Sequence, residues 1–259
     1  MKVPPVELAK AAALAAGRLQ REHFEGHIKV RYKGEIDLVT EIDLRSEQLI
    51  LELLDSSGIP VLGEEIAKAK PSGLYWLVDP LDGTTNYAHG FPWFAVSIAL
   101  MQDKEPIAGV VYHVMLDELF WAEKGKGAFL NGRPLKVSET KKLGEALLAT
   151  GFPYNVHQKP EKVVNAFHDF LVRAQGIRRA GAAALDLAYL ACGRFDGFWE
   201  PLLKPWDTAA GMLLVLEAGG QVTDFLGQAY DPFVPHILAT NGLIHEEMIP
   251  ITSKYVPEP

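Results

Sequence analysis

The chain has 259 residues, of which 48% are hydrophobic and 22% are charged. Together with a mean hydropathy of +0.05, this composition excludes an intrinsically disordered protein, because the chain can bury a large core. The net charge of −8 and the pI near 5.5 argue against a protein that holds nucleic acid by bulk electrostatic attraction.

The N-terminus lacks the charge and apolar pattern of a signal peptide, and no run reaches the roughly 18 apolar residues of a membrane helix. We therefore expect a cytoplasmic protein without membrane contact. The single cysteine, Cys192, excludes an intramolecular disulfide. It follows the apolar run 185–191, so we interpret it as a small core residue and not as a nucleophile.

The first elements are predicted from helical spacing and capping residues. Apolar residues at helical spacing predict an amphipathic helix over residues 5–25, and residues 28–32 form a strand-like stretch. Thr40, with Asp43 three residues later, has the pattern of a helix start, and the helix extends to Leu54. Asp43 can be a helix cap alone or can also serve a site. Asp37 lies in the loop before the cap, where capping does not account for it.

Two short apolar strands end in acidic residues. Residues 60–63 lead into Glu64 and Glu65, and residues 74–78 lead into Asp79. Pro80 cannot donate a ladder hydrogen bond, so the second strand is predicted to end at Asp79. Two such strands that deliver acids to one edge of a sheet would form a cation site. The alternative is that these acids only cap turns or reach solvent.

The acidic strand end continues into a turn and a predicted helix. Asp82 and Gly83 form the turn, and residues 84–86 (Thr-Thr-Asn) look like the start of a short helix whose side chains cap backbone N–H groups. Carboxylate and carbonyl oxygens suit Mg²⁺, and a helix N-terminus suits a phosphate group. The stretch 76–86 therefore predicts a metal-assisted phosphate site.

The rest of the chain divides into a β-rich region and an α/β region. Strands are predicted at 93–100, 107–114 and 119–122. From residue 143 onward, strands and helices are predicted at 147–150, 160–174, 177–179, 185–191 and 195–200, with a helix from Pro205. Glu200 ends the last of these strands, and Asp207 lies in the first turn of the following buried helix. We expect two halves, 1–142 and 143–259, packed as one unit.

Two other classes of hydrolase are disfavoured by the motifs. The sequence contains no Gly-x-Ser-x-Gly elbow of a serine hydrolase. Its eight histidines never form the His-Glu-x-x-His pattern of a zinc hydrolase.

Several ordered blocks resemble the inositol monophosphatase family. They are residues 62–65 (Leu-Gly-Glu-Glu), 79–86 (Asp-Pro-Leu-Asp-Gly-Thr-Thr-Asn) and 206–211 (Trp-Asp-Thr-Ala-Ala-Gly), supported by 37–43 and 217–220. The resemblance extends from the first helix to about Asn241. It implies a layered αβαβα sandwich of the inositol monophosphatase and fructose-1,6-bisphosphatase type, and a Mg²⁺-dependent, lithium-sensitive phosphomonoesterase that is usually a homodimer.

The resemblance also implies a role for each acidic residue. One metal ion would be held by Glu64, Asp79 and the carbonyl group of Leu81. A second would be held by Asp79, Asp82 and Asp207, and a weaker third would reach Glu64 through water. Glu64 and Thr84 would orient the attacking water and accept its proton, while Asp43 would hydrogen-bond Thr84.

The implied substrate residues surround the same point. The phosphate would lie on the Gly83 and Thr84 amides, next to Asp82 and Asp207. Glu200 would contact substrate hydroxyl groups. After Gly181 the family commonly has Ser or Thr, whereas this chain has Ala182, so a hydroxyl group is missing beside the substrate and we expect a permissive pocket.

The predicted function is hydrolysis of a sugar or polyol phosphate, with myo-inositol 1-phosphate as the foremost substrate. The alternatives within the enzyme class are fructose-1,6-bisphosphate and nucleotide or histidinol phosphates. A regulatory protein that acts with RNA polymerase is the alternative from another class, although the acidic composition disfavours direct nucleic-acid binding.

Overall fold

A computed structural model describes residues 3–24, 30–32, 38–66 and 72–257. The chain begins with helix α1 (Pro5–His23), in place of the predicted 5–25. A two-stranded antiparallel pair, β1 (Val30–Tyr32) and β2 (Leu38–Thr40), leads into helix α2 (Glu41–Leu54). Asp37, which capping does not account for in the sequence, lies outside the described residues.

The first half builds a seven-stranded sheet in which neighbours along the chain are neighbours in space. Its first two strands, β3 (Val61–Gly63) and β4 (Leu74–Asp82), are parallel, and every later pair is antiparallel. The later strands are β5 (Ala95–Gln102), β6 (Glu105–His113), β7 (Glu118–Glu123), β8 (Gly127–Leu130) and β9 (Arg133–Pro134). Helix α3 (Thr84–Ala88) lies between β4 and β5.

The second half builds a five-stranded mixed sheet with the order β11-β10-β12-β14-β13. Its strands are β10 (Leu147–Thr150), β11 (Gly176–Arg178), β12 (Gly197–Pro201), β13 (Gln221–Thr223) and β14 (His236–Thr240). The parallel strands β10, β11 and β12 are joined through α4 (Glu161–Leu171) and α5 (Ala183–Ala191). Helices α6 (Pro205–Glu217) and α7 (His245–Thr252) complete the chain.

The helices and sheets alternate as five layers. Alternate residues of β4 face opposite sides: Trp76 and Val78 pack with α1 and α2, whereas Tyr75 and Leu77 pack with α5 and α6. Helices α4 and α7 cover the outer face of the five-stranded sheet. The order is therefore α1/α2, sheet, α5/α6, sheet, α4/α7, and the predicted αβαβα sandwich is confirmed.

Strand β4 corrects one prediction from the sequence. It does not end at Asp79 but continues through Pro80 to Asp82, with both aspartates buried. Asp79 pairs with Ser97 of β5, and Asp82 pairs with Ala95. Between these pairs the chain advances three residues on β4 but only two on β5, so β4 contains one extra residue. This bulge accommodates the proline, which cannot donate to the ladder. It keeps both carboxylates on one rigid strand.

Other local predictions had mixed outcomes. Thr40 caps α2 in a reciprocal capping box with Asp43, as predicted. Helix α3 begins at Thr84, as predicted, but its N-cap residue is Gly83 and no side chain caps it, so the predicted capping by residues 84–86 is wrong. Cys192 is half-buried against the core between the sheets, and burial raises the pKa of its thiol. Strands β13 and β14 and helix α7 were not anticipated.

The part of the chain that the structure describes contains no helix long and apolar enough to cross a membrane.

His113 makes folding sensitive to acid. Its ring is fully buried beside Trp93 at a centroid distance of 5.1 Å, and neither ring nitrogen has a hydrogen-bond partner among the described residues. Burial lowers the pKa of His113 to about 4, compared with about 6.5 in an unfolded chain. Between these values the unfolded chain binds more protons, so the free energy of unfolding falls as the pH falls.

We predict that His113→Phe keeps the packing and reduces this acid sensitivity. The variant's advantage over the wild type in free energy of unfolding should increase by about 2 kcal/mol when the pH is lowered from 7 to roughly 5. Urea unfolding at both pH values measures the difference. His168→Phe, at an exposed position of α4, is the control and should show no such gain. An equal pH dependence in the wild type and His113→Phe would contradict the prediction.

Candidate active site

Four acidic side chains meet between the two sheets, at one end of the central helical layer. We refer to Glu64, Asp79, Asp82 and Asp207 as the acidic cluster. Glu64 directly follows β3, the two middle residues lie in β4, and Asp207 is the third residue of α6. The negative charges of Glu64, Asp82 and Asp207 all raise the pKa of Asp79, so the structure brings the four predicted residues together.

Burial and mutual repulsion make the acidic cluster electrostatically unfavourable by itself. Asp79 is 2% exposed, and its pKa lies well above the ordinary value, first because of burial and then because of its three acidic neighbours. Burial and then Asp207 raise the pKa of Asp82 in the same way. Like charges in a buried site disfavour ionisation unless a positive charge offsets them.

Backbone N–H groups fix the orientation of three of these carboxylates. Asp79 Oδ1 accepts a hydrogen bond from the Leu81 amide at 3.0 Å. Asp82 Oδ2 accepts one from the Ala184 amide, in the first turn of α5, at 2.7 Å. Asp207 Oδ2 accepts one from the Lys204 amide at 2.7 Å. One oxygen of each carboxylate is thereby held by its own local turn or by α5.

The donor set fits a hard divalent cation. Buried carboxylate oxygens of like charge supply the charge that such an ion neutralises, and Mg²⁺ prefers oxygen ligands. Within the described residues, no three Asp, Glu, His or Cys side chains converge as a ready-made metal cage. Such a cage is not required for Mg²⁺, which usually keeps several waters and completes its coordination with substrate phosphate.

A glycine turn follows the acidic strand. Gly83 has a φ of +94°, a backbone conformation that residues with a side chain rarely adopt. A Cβ atom at this position would also lie 2.9 Å from the Trp93 carbonyl oxygen and 3.3 Å from Ala182 Cβ. The turn is thus closed on both sides, and it directs the start of α3 towards the N-terminal end of α5.

Thr84 connects this turn to α2. Its hydroxyl lies 2.8 Å from Asp43 Oδ1 and 3.0 Å from the Leu81 carbonyl oxygen. Asp43 Oδ2 accepts hydrogen bonds from the Thr40 amide and the Thr40 hydroxyl. Asp43 therefore caps α2 with one oxygen and contacts Thr84 with the other, so the two roles considered from the sequence are compatible.

Glu200 enters the same region from the five-stranded sheet. It is 7% exposed and lies against the loop after β10, where a Cβ atom on Gly151 would come within 2.1 Å of Glu200 Oε1. Burial and then Asp207 raise the pKa of Glu200, while the Arg179 guanidinium lowers it. Glu200 therefore shares one electrostatic environment with the acidic cluster.

The segment before α5 forms the remaining wall. Gly181 has a φ of +86°, and the buried Ala182 is the N-cap residue of α5. The side-chain amide of Asn86 donates to the carbonyl oxygens of Trp93, at 2.7 Å, and Ala180, at 2.9 Å. Asn86 thus joins α3 in the first half to the segment in the second half that contains Gly181 and Ala182.

One supporting residue was missed from the sequence. Glu47 is fully buried on α2 and accepts hydrogen bonds from the amides of Glu65, at 2.6 Å, and Ile66, at 2.8 Å. A Cβ atom on Gly63 would lie only 2.2 Å from Glu47 Oε1, so this glycine makes room for the carboxylate. Its position could have been inferred from helical spacing. Glu47 is four residues after Asp43 and three before Ile50, so the three side chains lie on one face of α2.

The family of the protein is shown by its similarity to known proteins. The sequence model of the inositol monophosphatase family matches residues 3–256. The chain belongs to the inositol monophosphatase family. The match covers nearly the whole chain, and this makes the protein a phosphatase.

Three curated relatives in this family have different names. An inositol-1-monophosphatase of Caulobacter vibrioides is 42% identical, covering 93% of this chain and 98% of the relative. A fructose-1,6-bisphosphatase/inositol-1-monophosphatase of Aquifex aeolicus is 40% identical, and the match covers 97% of this chain and 96% of the relative. The Nus factor SuhB of Pseudomonas aeruginosa is 42% identical, and the match covers 98% of this chain and 97% of the relative.

Solved structures of the family show the same architecture. The extragenic suppressor protein suhB of Bartonella henselae has a TM-score of 0.90 and 41% identity, covering 96% of this chain and 98% of that one. The inositol monophosphatase of Anabaena has a TM-score of 0.88 and 40% identity, and the match covers 97% of this chain and 96% of that one. The fold of the family is therefore shown by sequence and structure together.

We predict that Asp43 and Thr84 act as a pair in turnover. Asp43→Ala and Thr84→Ala should each lower kcat, and the double variant should lose little more than the worse single one, because each change removes the same hydrogen bond. Steady-state rates of phosphate release from all four proteins measure the coupling. Ser56→Ala, at an exposed position just after α2, is the control for loss of a hydroxyl group and should leave kcat unchanged. Additive losses would show that Asp43 serves only as a helix cap.

Proposed function

We propose that this phosphatase is Mg²⁺-dependent and hydrolyses a sugar or polyol phosphate monoester, with myo-inositol 1-phosphate as the foremost substrate. One observation carries the proposal: the buried acidic cluster lies beside the Gly83 turn and shares its environment with Glu200. The acidic cluster suits a cation, the Gly83 turn suits a phosphate group, and Glu200 suits sugar hydroxyl groups. The Caulobacter and Anabaena relatives named for inositol monophosphate chemistry support the choice of substrate.

Mg²⁺ would be held by the acidic cluster together with the Leu81 carbonyl group. Glu64, Asp79 and Leu81 would serve one ion, and Asp79, Asp82 and Asp207 a second. When bound, the cation would activate a water molecule and offset negative charge on the phosphate and the leaving oxygen. Leu81 is 1% exposed, and its carbonyl oxygen lies 3.0 Å from the Thr84 hydroxyl oxygen, so it already faces this polar corner.

The phosphate group would bind to the start of α3. The first N–H groups of a helix have no partner within the helix, so Gly83 and Thr84 can present their amides to phosphoryl oxygens. Because Gly83 is fixed between the Trp93 carbonyl oxygen and Ala182, these donors are preorganised. Donors of this kind stabilise charge that develops during phosphate transfer without further rearrangement.

The attacking water would be oriented by Thr84 and Glu64. A hydroxyl group has one hydrogen, and when Thr84 donates it to Asp43 its oxygen remains as an acceptor for a water proton. Glu64 lies at the end of β3, where its own amide donates to the Val78 carbonyl oxygen at 3.1 Å. The pair can position a water and take up its proton as the bond to phosphorus forms.

The alcohol part of the substrate would contact Glu200, Gly181 and Ala182. Glu200 can accept hydrogen bonds from neighbouring hydroxyl groups of a polyol. Ala182 offers a methyl group where the family commonly has a hydroxyl, so discrimination on that side should be weak. This favours a pocket that accepts several polyol phosphates.

The names of two relatives favour alternative functions. Fructose-1,6-bisphosphatase activity is favoured by the name of the Aquifex relative, and hydrolysis of nucleotide or histidinol phosphates is a further option. A regulatory role with RNA polymerase is suggested by the relative named Nus factor SuhB. Co-purification of the protein with RNA polymerase would test that role independently of catalysis. We further propose a cytoplasmic homodimer, inhibited by lithium, with halves 1–142 and 143–259.

The decisive test is phosphate release from a panel of phosphate monoesters with and without Mg²⁺. We expect the highest kcat/KM for inositol 1-phosphate, and loss of activity when Mg²⁺ is removed. Asp79→Asn should lower kcat by about a thousandfold or more, because this residue is assigned to both ions. Thermal unfolding should show that the variant remains folded.

Asp55→Asn, at an exposed position after α2, is the matched control and should retain full activity. Near-normal turnover by Asp79→Asn at saturating Mg²⁺ would refute the metal assignment. Activity that is independent of Mg²⁺ would refute the proposed cofactor.

Glu200 should determine preference among substrates. Glu200→Gln should reduce kcat/KM for inositol 1-phosphate by about tenfold more than for p-nitrophenyl phosphate, which has no neighbouring hydroxyl groups. The ratio of the two specificity constants is the measurement, and the hydroxyl-poor ester is the internal control. Equal losses on both esters would remove Glu200 from the substrate-binding residues.

A further inference from the structure

A cavity of about 480 Å³ opens on the side of the five-stranded sheet that faces away from the acidic cluster. It lies where β10 and β12 end, between the start of α4 and the last described residues of the chain. Cavities that bind small molecules have volumes of roughly 300–1,000 Å³. The size therefore suits a small organic ligand, and no step of the proposed hydrolysis uses this cavity.

The cavity and the catalytic cleft lie on opposite sides of β12. Successive side chains of a strand point to opposite faces. Glu200 faces the cleft, whereas its neighbours Trp199 and Pro201 line the cavity. Gly151 is the common boundary, because it lines the cavity and also lies against the carboxylate of Glu200.

The inner wall of the cavity is apolar and aromatic. Trp199 and Phe225 are 2% and 1% exposed, and Ala166, on the inner face of α4, is 5% exposed. Trp199 is held by Phe170, with ring centroids 4.1 Å apart, so the wall is rigid. These side chains form a nearly inaccessible floor, and Leu202 and Tyr255 supply partly exposed apolar surface that a flat ring or a short apolar body would remove from water.

The rim of the cavity carries a positive balance. Among the described residues that line it, two are basic, Lys159 and Lys162, and one is acidic, Glu161, in a protein whose net charge is −8. Lys162 Nζ donates to the Val256 carbonyl oxygen at 3.0 Å, which holds its ammonium group beside the opening. Asn155 adds an amide to the same rim. An acidic group on a ligand would be attracted here, in contrast to most of the surface.

The geometry points to a second binding site, separate from the catalytic cleft, for a small organic anion with a ring or short apolar body and one acidic group. The ring would lie against Leu202 and Tyr255, above the floor formed by Trp199 and Phe225, and the acidic group would face Lys159 and Lys162. Since the interaction does not involve the acidic cluster, binding should be independent of Mg²⁺ and should weaken as salt screens the lysines.

The test uses anilinonaphthalene sulfonate, a fluorescent aromatic anion whose sulfonate a phosphatase cannot hydrolyse. We expect one molecule to bind per chain, measured by fluorescence and by calorimetry. Ala166→Leu fills the cavity and should raise Kd by about tenfold or more. Lys159→Glu reverses one rim charge and should raise Kd by roughly three- to tenfold. Lys159 is exposed, so this variant remains informative if Ala166→Leu folds poorly.

Lys141→Glu makes the same charge change at an exposed position outside the cavity and should leave Kd within about twofold of the wild type. Binding that neither Ala166→Leu nor Lys159→Glu weakens would overturn the proposal. Displacement of the dye by inorganic phosphate with Mg²⁺ would place it in the catalytic cleft and would also overturn it. So would binding that appears only after deletion of residues 257–259, because the end of the chain would then be the occupant.

Discussion

The burial of several carboxylates at one point is the constraint on which the rest of this structure depends. Asp79 and Asp82 are removed from water on a core strand, beside Glu64 and Asp207. Their mutual repulsion opposes folding, so the surrounding structure has to compensate through amide donors and a rigid frame. Three backbone amides, from Leu81, Ala184 and Lys204, serve this purpose. The scaffold thereby holds a group of like charges that a bound cation would offset.

The αβαβα layering explains how residues distant in sequence reach that point. The seven-stranded sheet supplies β4, the central layer supplies the first turns of α5 and α6, and the five-stranded sheet supplies β12. Asp79 and Asp82 lie in the second half of β4, Asp207 lies in the first turn of α6, and Glu200 is the residue before the last of β12. The four side chains therefore reach one point from three different layers.

Much of this could be read from the sequence, and the failures have physical causes. The order of acidic residues after apolar strands and the cap at Thr40 are local patterns, and both predicted the positions found. Pro80 wrongly suggested the end of β4, because a bulge that accommodates a proline depends on the partner strand. The fit of Glu47 against Gly63 is a contact between distant residues, and β14 needs its neighbours β12 and β13 to be recognised as a strand.

The contacts that join the two parts of the site across the chain are made largely to backbone atoms. Asn86 donates to the carbonyl oxygen of Ala180, and Asp82 accepts from the amide of Ala184. Backbone groups are present whatever side chains those positions carry. A C-terminal segment from another family member could replace the native one and still offer the same bonding partners. Such recognition of the main chain allows a lineage to exchange the side chains at these junctions by recombination or drift without losing the contacts between the two parts.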